Sequence, residues 1–329
     1  MNSPIILTRV PFRISLGGGS TDLPSYYEKY GGFIFSVAIN LYMDVFIKEP
    51  KSDDLIHVHY RKFEAVRKVN EVQHDLAKEA LRMTDIREKM AISFKADTPA
   101  GTGLGSSGAC SVALLKGLYQ YKNNKELSNE RAAALAYQLT RNLNLPDGMQ
   151  DPYACALGGF RVFEISKNGK IEINKPKLSK ATENKFFKNT IFFYTGIQRA
   201  SAPILAAQNE KRVLELKHKT KEIGKKVLKA FETGRLNDFG LLMDEHWQIK
   251  KEMSGQMSNT MFDHIYAAAK KVGALGGKIM GAGGGGYFMF YCDSEAVKKR
   301  VRSTLMRTNM REMDFRIDKL GARTKIVDF

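Results

Sequence analysis

The stretch TPAGTGLGSSGACS, residues 98–111, restricts the fold of this chain more than any other part of it. Three glycines alternate with other residues ahead of two serines and an apolar run that predicts a buried helix. Glycine accepts positive φ and lets a ligand approach the backbone. The first N–H groups of a helix lack internal partners and carry the positive end of its dipole. The stretch therefore predicts an anion site, above all for phosphate, and its alternative is a tight turn in which glycines only aid packing.

Two other common phosphate motifs do not fit this stretch. No Gly-Lys-Ser/Thr follows the glycines, as a Walker loop would require, and no acidic residue ends a second strand about 20 residues further on, as in a dinucleotide fold. Further glycine clusters occur as LGGGSTD (16–22) and GAGGGG (281–286), each between segments with strand composition. Three such loops predict a fold that gathers them around one polyphosphate and its acceptor.

Composition places the chain among folded, soluble proteins. Its 329 residues, 43% of them hydrophobic, suffice for two domains with proper cores. No secretion signal or bilayer-spanning run is visible, so we expect a cytoplasmic protein with no membrane partner. The three cysteines are far apart in apolar surroundings, which predicts reduced core thiols.

The formal net charge of +17 raises the question of a polyanionic partner. The basic residues are spread along the chain, and no zinc finger, RNP sequence or basic arm occurs. We therefore expect no nucleic acid among the partners and interpret the charge as favouring small anionic ligands.

Periodicity and turn residues give a coarse order of elements. Apolar β-branched segments predict strands, helical spacing predicts long helices, and Asn168–Gly169 predicts a hairpin turn. Residues 175–188 shift in composition to Lys, Asn and Thr. We place a domain boundary there, which gives an N-terminal domain over residues 1–183 and a C-terminal domain over residues 184–329.

The three glycine clusters resemble the motifs of one enzyme family. PAGTGLGSSGA (99–109) is similar to the central phosphate-binding motif of the GHMP kinases. PFRISLGGGSTDLPSYY (11–27) and GGKIMGAGGGGYFMF (276–290) resemble the family's first and third motifs, in the family's order. The resemblance implies an α+β, two-domain fold, with an N-terminal domain like ribosomal S5 domain 2 and a ferredoxin-like C-terminal domain. ATP and its acceptor would meet in the cleft between them.

A narrower resemblance concerns the substrate. GMQDPYACALGGF (148–160), YTGIQRASAPIL (194–205) and HWQIKKEMS (246–254) resemble the D-glycero-D-manno-heptose phosphate kinases. This branch implies phosphoryl transfer from ATP to a hydroxyl of heptose 7-phosphate, giving the 1,7-bisphosphate for nucleotide-activated heptose and surface polysaccharide. Alternatives are a family kinase for fucose, another sugar or an octose phosphate, a catalytically weak nucleotide- or sugar-binding relative, and a nucleic-acid-binding protein. A homodimer is left open.

The resemblance assigns the chemistry to two residues. Asp151 corresponds to the Asp that faces the acceptor hydroxyl and takes its proton, and its alternative role is an N-cap for the following helix. Arg13 corresponds to the cation that pairs with this Asp and stabilises charge on the transferred phosphoryl group. Its alternative is an ordinary surface residue of a strand.

The resemblance also assigns the residues of the binding sites. For the nucleotide they are Pro99, Gly101, Thr102, Gly103, Leu104, Gly105, Ser106, Ser107 and Gly108. For the sugar and its own phosphate they are Gly18, Gly19, Ser20, Thr21, Asp22, Arg199, Lys250, Gly283 and Gly284. The alternatives are a turn cap before Pro24 for Asp22 and solvated charges for Arg199 and Lys250.

The sequence departs from the family at the metal site. Where the family has Glu-x-Glu-Arg, with the second Glu on Mg²⁺, this chain has Gln138 and Thr140. Met149 and Pro152 also differ from the branch pattern. We expect Mg²⁺ to be held by ATP, water and Ser106 or Ser107, or by Asp151, because magnesium keeps several waters.

Overall fold

A computed structural model describes residues 4–199, residue 204 and residues 213–327 of the chain. Its larger sheet grows from two long strands whose apolar residues are buried almost throughout. The eight strands of this sheet are β1 (Ile5–Gly17), β2 (Gly32–Lys48), β3 (Ile56–His59), β4 (Phe63–Val66), β5 (Met90–Ala96), β6 (Phe160–Ile165), β7 (Ile171–Asn174) and β12 (Arg323–Val327).

The strand order is β12-β1-β2-β5-β3-β4, and β6 also pairs with β2 and with β7. All pairs are antiparallel except β3 with β5. The predicted hairpin joins β6 to β7, with Gly169 at φ +80° and the Asn168 side chain accepting from the Lys170 N–H. The last described strand thus lies beside the first one.

Helices of the first half pack on this sheet, together with a 3-10 turn at Val69–Glu71. They are α1 (Pro24–Tyr30), α2 (Asp75–Met83), α3 (Ser106–Asn123), α4 (Asn129–Asn142) and α5 (Gln150–Leu157). Small residues let α3 lie buried against β1, β2, α4 and α5. Ser128 caps α4, because its side chain accepts from the N–H of Arg131 at 3.2 Å.

The second sheet has four antiparallel strands in the order β11-β8-β10-β9. These strands are β8 (Thr190–Tyr194), β9 (Gly276–Ile279), β10 (Tyr287–Tyr291) and β11 (Arg311–Glu312). The remaining described helices are α6 (Lys180–Asn189), α7 (Leu214–Glu232), α8 (Leu236–Met253), α9 (Thr260–Lys271) and α10 (Glu295–Leu305). From β8 to β11 the chain runs strand, helices, two strands, helix, strand, which confirms the ferredoxin-like half.

Two features of this fold bear on the predicted domain boundary. It falls inside α6, and β12, from the very end of the described chain, pairs with β1 rather than with the second sheet. The division at residue 183 stays a prediction, and the strand pairing shows that one segment of the second half belongs to the first sheet.

Aromatic side chains connect the two sheets. Phe35 on β2 meets Phe231 on α7 with ring centroids 5.1 Å apart, and Phe231 meets Phe239 on α8 at 5.0 Å. Phe239 in turn contacts Tyr291 on β10 at 5.5 Å. This buried row fixes the two halves against each other and leaves a cleft on one side. All three cysteines are buried and free, and among the described residues no helix is long and apolar enough to cross a bilayer.

Candidate active site

The cleft is a cavity of about 1090 Å³ between the two halves of the molecule. Members of all three glycine clusters line it, among them Gly19, Gly103 and Gly281. The loop before α5 and the cavity-facing side of α8 complete the walls. The structure thus brings together the three loops that the sequence predicted to share one ligand.

The central loop turns into α3 by three glycines with positive φ: Gly101 at +76°, Gly103 at +82° and Gly105 at +79°. The third motif packs directly against this loop, so that a Cβ on Gly103 would lie 2.4 Å from the carbonyl oxygen of Met280. Only glycine fits this approach. In the described structure no side chain caps the N-terminus of α3, and Ser106 and Ser107 of its first turn line the cavity, as an anion site requires.

The predicted nucleotide residues separate into two groups. Six line the cavity, namely Pro99, Gly101, Gly103, Gly105, Ser106 and Ser107. The other three serve the loop itself: Thr102 donates to the Pro99 carbonyl, Leu104 is in the core, and Gly108 packs against Asp151 and Pro152. These three are predictions that the cavity wall does not support.

Arg13 and Asp151, which both line the cavity, form an ion pair. Arg13 Nε and Nη2 donate to Asp151 Oδ1 at 2.8 and 2.6 Å, and Nη1 donates to the Gly103 carbonyl at 2.7 Å. Burial alone would lower the pKa of Arg13, but the charge of Asp151 and its hydrogen bonds raise it above the ordinary value. Arg13 is only 4% exposed, so the alternative of a surface residue is wrong. The N-cap alternative for Asp151 is also wrong, because Met149 is the N-cap of α5.

Asp22 places a second carboxylate beside this pair. Its Oδ2 accepts from the backbone N–H of Gln150 at 2.9 Å, which ties the first motif to the N-terminus of α5. Burial raises the pKa of Asp22 to about 6, and Asp151 adds to the shift. Because it bonds across the chain and α1 has no side-chain cap, the turn-cap alternative for Asp22 is wrong.

Of the other sugar contacts predicted in the first motif, some line the cavity and some do not. Gly19 and Ser20 line the cavity, whereas Gly18 and Thr21 do not. The Thr21 hydroxyl donates to the carbonyls of Gly18 and Phe33 and accepts from the N–H of Phe33, so its capacity is used within the fold. Gly18 and Thr21 therefore shape the loop rather than face a ligand.

Cations of the second half also line the cavity and form a basic wall: Lys250 and Lys278 are buried, and Arg199 is half-buried. Arg199 Nε donates to the Gly283 carbonyl at 2.6 Å, and Lys250 Nζ donates to the carbonyls of Ile279 and Gly281 at 3.1 and 2.6 Å. Lys278 Nζ donates to the Leu16 carbonyl at 3.2 Å. Within the described ranges none of these three cations pairs with a carboxylate. A buried charge without a counter-charge is unfavourable, so this wall is suited to an anion.

The cations of this basic wall have lowered pKa values because they are removed from water and have no carboxylate partner within the described residues. Burial lowers the pKa of Lys250 to about 7, and Arg199 and Arg13 add to the shift. Burial also lowers the pKa of Arg199 to about 10. Lys278 lies 3.2 Å from His246 Nδ1, and burial moves the pKa of both groups well below their ordinary values. An anionic ligand would restore the charged forms.

The third glycine motif contributes differently from the prediction. Gly281 and Ala282 line the cavity, while Gly283 and Gly284 lie behind the wall. The Gly283 carbonyl holds Arg199, and Gly284 packs on Gln256 and Ile204. Direct substrate contact by Gly283 and Gly284 is therefore not supported.

The far end of the cavity is aromatic. His74 stacks on Phe94 with centroids 4.7 Å apart and rings 10° from parallel, and Tyr60 meets His74 edge-on at 4.8 Å. Burial lowers the pKa of His74, which keeps its ring neutral. Such a surface offers stacking to a nucleotide base.

Oxygen ligands for a metal lie at the N-terminus of α3. Ser106 and Ser107 line the cavity there, and Ser107 Oγ donates to Asp147 Oδ2 at 2.9 Å. Burial raises the pKa of Asp147, and Asp151 adds to the shift. Within the described ranges no group of three or more His, Cys, Asp or Glu can hold a metal alone. The oxygens fit Mg²⁺ that arrives with phosphate ligands, because magnesium often uses one or two carboxylates and substrate oxygens.

Among the cavity residues that sequence reasoning missed are Asp147, Gln150, His246 and Lys278. Each lies inside a quoted motif or directly beside one. For Asp147 the available signal was a second carboxylate four residues before Asp151. For Lys278 it was a lysine inside a strand that is otherwise apolar, glycine-rich and wholly buried.

A glycine loop at a helix N-terminus, facing a paired carboxylate and a basic wall, is the arrangement of a phosphoryl-transfer enzyme. Two family models match the chain: GHMP kinases N terminal domain over residues 67–159 and GHMP kinases C terminal over residues 227–312. Together they cover more than half of the chain. The protein belongs to the GHMP kinases.

Individual relatives agree with this assignment. The chain is 28% identical to the D-glycero-alpha-D-manno-heptose 7-phosphate kinase of Campylobacter jejuni, over 97% of this chain and 98% of that protein. It is 24% identical to the L-fucokinase/L-fucose-1-P guanylyltransferase of Bacteroides fragilis, over 92% of this chain but 36% of that protein. The crystal structure of a D-glycero-D-manno-heptose 1-phosphate kinase from Bacteroides thetaiotaomicron superposes with a TM-score of 0.82 at 25% identity, covering 98% and 100% of the two chains.

Proposed function

We propose that this kinase transfers the γ-phosphoryl group of ATP to a hydroxyl of D-glycero-D-manno-heptose 7-phosphate, giving the 1,7-bisphosphate. The product would feed the synthesis of nucleotide-activated heptose for surface polysaccharide. The observation that carries the proposal is the Arg13–Asp151 pair, which lies between the phosphate loop and the basic wall.

The pair suggests how the transfer proceeds. The acceptor hydroxyl attacks the γ-phosphorus, a new O–P bond forms, the bond to the β-phosphate oxygen breaks, and ADP leaves. Asp151 takes the hydroxyl proton, and Arg13 stabilises the charge on the phosphoryl group in the transition state. Mg²⁺ bound with the nucleotide would neutralise phosphate charge. Most of the catalysis would come from positioning and electrostatics, as in other phosphoryl transfers.

The basic wall supports an acceptor that already carries a phosphate. Arg199 and Lys250, joined by Lys278 and His246, would hold a dianion by charge-assisted hydrogen bonds. A neutral sugar such as fucose would leave these cations without a counter-charge. Two of the relatives described above are named as kinases of heptose phosphates, which agrees with this preference.

The rest of the cavity supports the remaining groups. Asp22 can accept from two sugar hydroxyls at once, with Gly19 and Ser20 beside it. The aromatic end formed by Tyr60, His74 and Phe94 would stack on the adenine base. The nucleotide would then run from the aromatic end to the α3 N-terminus, with the sugar phosphate between Asp22 and the basic wall.

A substrate panel tests the proposal. Purified protein with MgATP is assayed for ADP release with heptose 7-phosphate, the same heptose without phosphate, fucose, and other hexose and octose phosphates. We expect turnover with heptose 7-phosphate, and ³¹P NMR of the product should show a second phosphate on the anomeric carbon. Faster turnover of the free heptose or of fucose would refute the acceptor assignment. Nucleotide binding without turnover across the panel would favour a binding protein.

A further inference from the structure

The loop between α4 and α5 brings an unpredicted carboxylate to the phosphate loop. The N–H groups of Asn144 and Leu145 donate to the carbonyls of Arg141 and Thr140 at 3.0 and 2.9 Å and close the end of α4. Beyond this point the chain turns back over the N-terminus of α3. There Asp147 accepts from the Ser107 hydroxyl, and both side chains line the cavity.

The charges at this end of the cavity are not balanced. Arg13 neutralises Asp151, but within the described ranges Asp147 has no ion pair. An anionic carboxylate beside a phosphate loop would repel a polyphosphate ligand. A divalent cation bound between the carboxylate and the phosphates would reverse that repulsion, and a carboxylate with a serine hydroxyl is an oxygen set that Mg²⁺ accepts.

Two unpartnered polar atoms independently indicate a ligand in the same cavity. Gln150, 5% exposed, has no partner within the described ranges for its Nε2, and Ser15, 7% exposed, has none for its hydroxyl. Both residues line the cavity. Buried polar groups are nearly always hydrogen-bonded, so both atoms are expected to meet oxygens of a bound ligand.

The family resemblance places a metal-binding Glu on α4, but this chain has the uncharged Thr140 at that position. Thr140 is 1% exposed, its hydroxyl donates to the Tyr137 carbonyl at 2.8 Å, and it does not line the cavity. We propose that Asp147, with Ser107, is the protein ligand of nucleotide-bound Mg²⁺ in this kinase. The proposal rests on the kinase assignment but not on the identity of the sugar.

Metal binding without turnover tests the proposal. Mn²⁺ replaces Mg²⁺, the ATP analogue AMP-PNP replaces ATP, and no sugar is added, so the result is independent of the acceptor. Bound Mn²⁺ is followed by EPR in wild type and in Asp147→Asn, which keeps an oxygen to accept from Ser107 but removes the charge. Asp314→Asn serves as a control, because its side chain is 82% exposed outside the cavity.

We expect Asp147→Asn to weaken Mn²⁺ binding to the AMP-PNP complex by about tenfold or more, a scale seen even for outer-shell partners of metals. The control should not change it. Asp147→Glu, which retains the charge, should bind Mn²⁺ more tightly than Asp147→Asn and provides a comparison if the amide variant folds poorly. Folded Asp147→Asn with Mn²⁺ affinity within about twofold of wild type, or equal affinity in the Asn and Glu variants, would overturn the proposal.

Discussion

Replacing Lys250 by Met should make the stability of the ligand-free protein differ from that of the wild type in a pH-dependent way, while it removes part of the phosphate site. Lys250 is 8% exposed and makes its hydrogen bonds only to the carbonyls of Ile279 and Gly281. Burial lowers its pKa from 10.5 to about 7, so folding must discard or bury a charge that the unfolded chain keeps in water. Methionine has nearly the same length and no charge.

The size of the effect follows from proton linkage. A lowered lysine pKa means that the unfolded chain binds more protons between about pH 7 and pH 10.5, so wild-type stability rises with pH across this window. At about 1.4 kcal/mol for each pKa unit, the charge costs about 4 kcal/mol at pH 7 and about 2 kcal/mol at pH 9. The two carbonyls left unpaired in the variant cost about 1–3 kcal/mol each at either pH. The stability difference between the proteins should therefore shift by about 2 kcal/mol between these pH values, in favour of the wild type at the higher pH.

Urea unfolding at about pH 7 and pH 9 measures this difference for wild type, Lys250→Met and Lys251→Met. Lys251, the next residue on α8, is partly exposed and pairs with Asp263, so its variant serves as the control for removal of a lysine that is not buried. In parallel, Lys250→Met should bind the sugar phosphate more weakly. A stability difference that stays constant with pH would refute the interpretation of Lys250 as an uncompensated buried cation.

Three further outcomes follow from the site. Asp151→Asn should keep ATP affinity in equilibrium binding but lower turnover by about a hundredfold or more, and near-normal turnover would exclude it as the base. For Asp22, whose pKa rises from 3.8 to about 6, the sign is opposite to that of a lysine: the folded state binds the extra proton, so stability falls as pH rises through this window. Urea titrations should show this loss in wild type and not in Asp22→Asn. Gly103→Ala should lower the melting temperature and abolish ATP binding. The reason is that residue 103 has φ +82° and that a Cβ there would lie 2.4 Å from the backbone oxygen of Met280. A stable variant that binds nucleotide would contradict the packing argument.

Local sequence signals predicted most elements of the fold. The Asn168–Gly169 pair specified its own hairpin, and Ser128 specified the start of α4, because turns and caps depend on residues a few positions apart. The alternating glycines likewise predicted the phosphate loop, since positive φ is a local property. The family resemblance predicted which type of domain each half of the chain forms, and local signals do not contain this information.

The parts of the site that sequence reasoning missed depend on distant contacts. Nothing near Lys278 in the chain shows that it reaches the Leu16 carbonyl, 262 residues away. The interpretation of Asp151 as an N-cap failed for the same reason, because its ion pair with Arg13 spans 138 residues. Asp147 was missed because a carboxylate in a polar loop is ordinary until the fold places it beside Ser107.

The pairing of β12 with β1 has a consequence for synthesis of the protein in the cell. Residues Ile5 to Arg9 leave the ribosome long before their partners, Arg323 to Val327. Until then one edge of β1 offers free N–H and C=O groups to any other strand, and such edges promote aggregation. Closing so long a loop is also slow compared with forming local hairpins. Translation of β12 should therefore determine when the kinase becomes resistant to proteolysis, and chains truncated before β12 should be recovered mainly as aggregates.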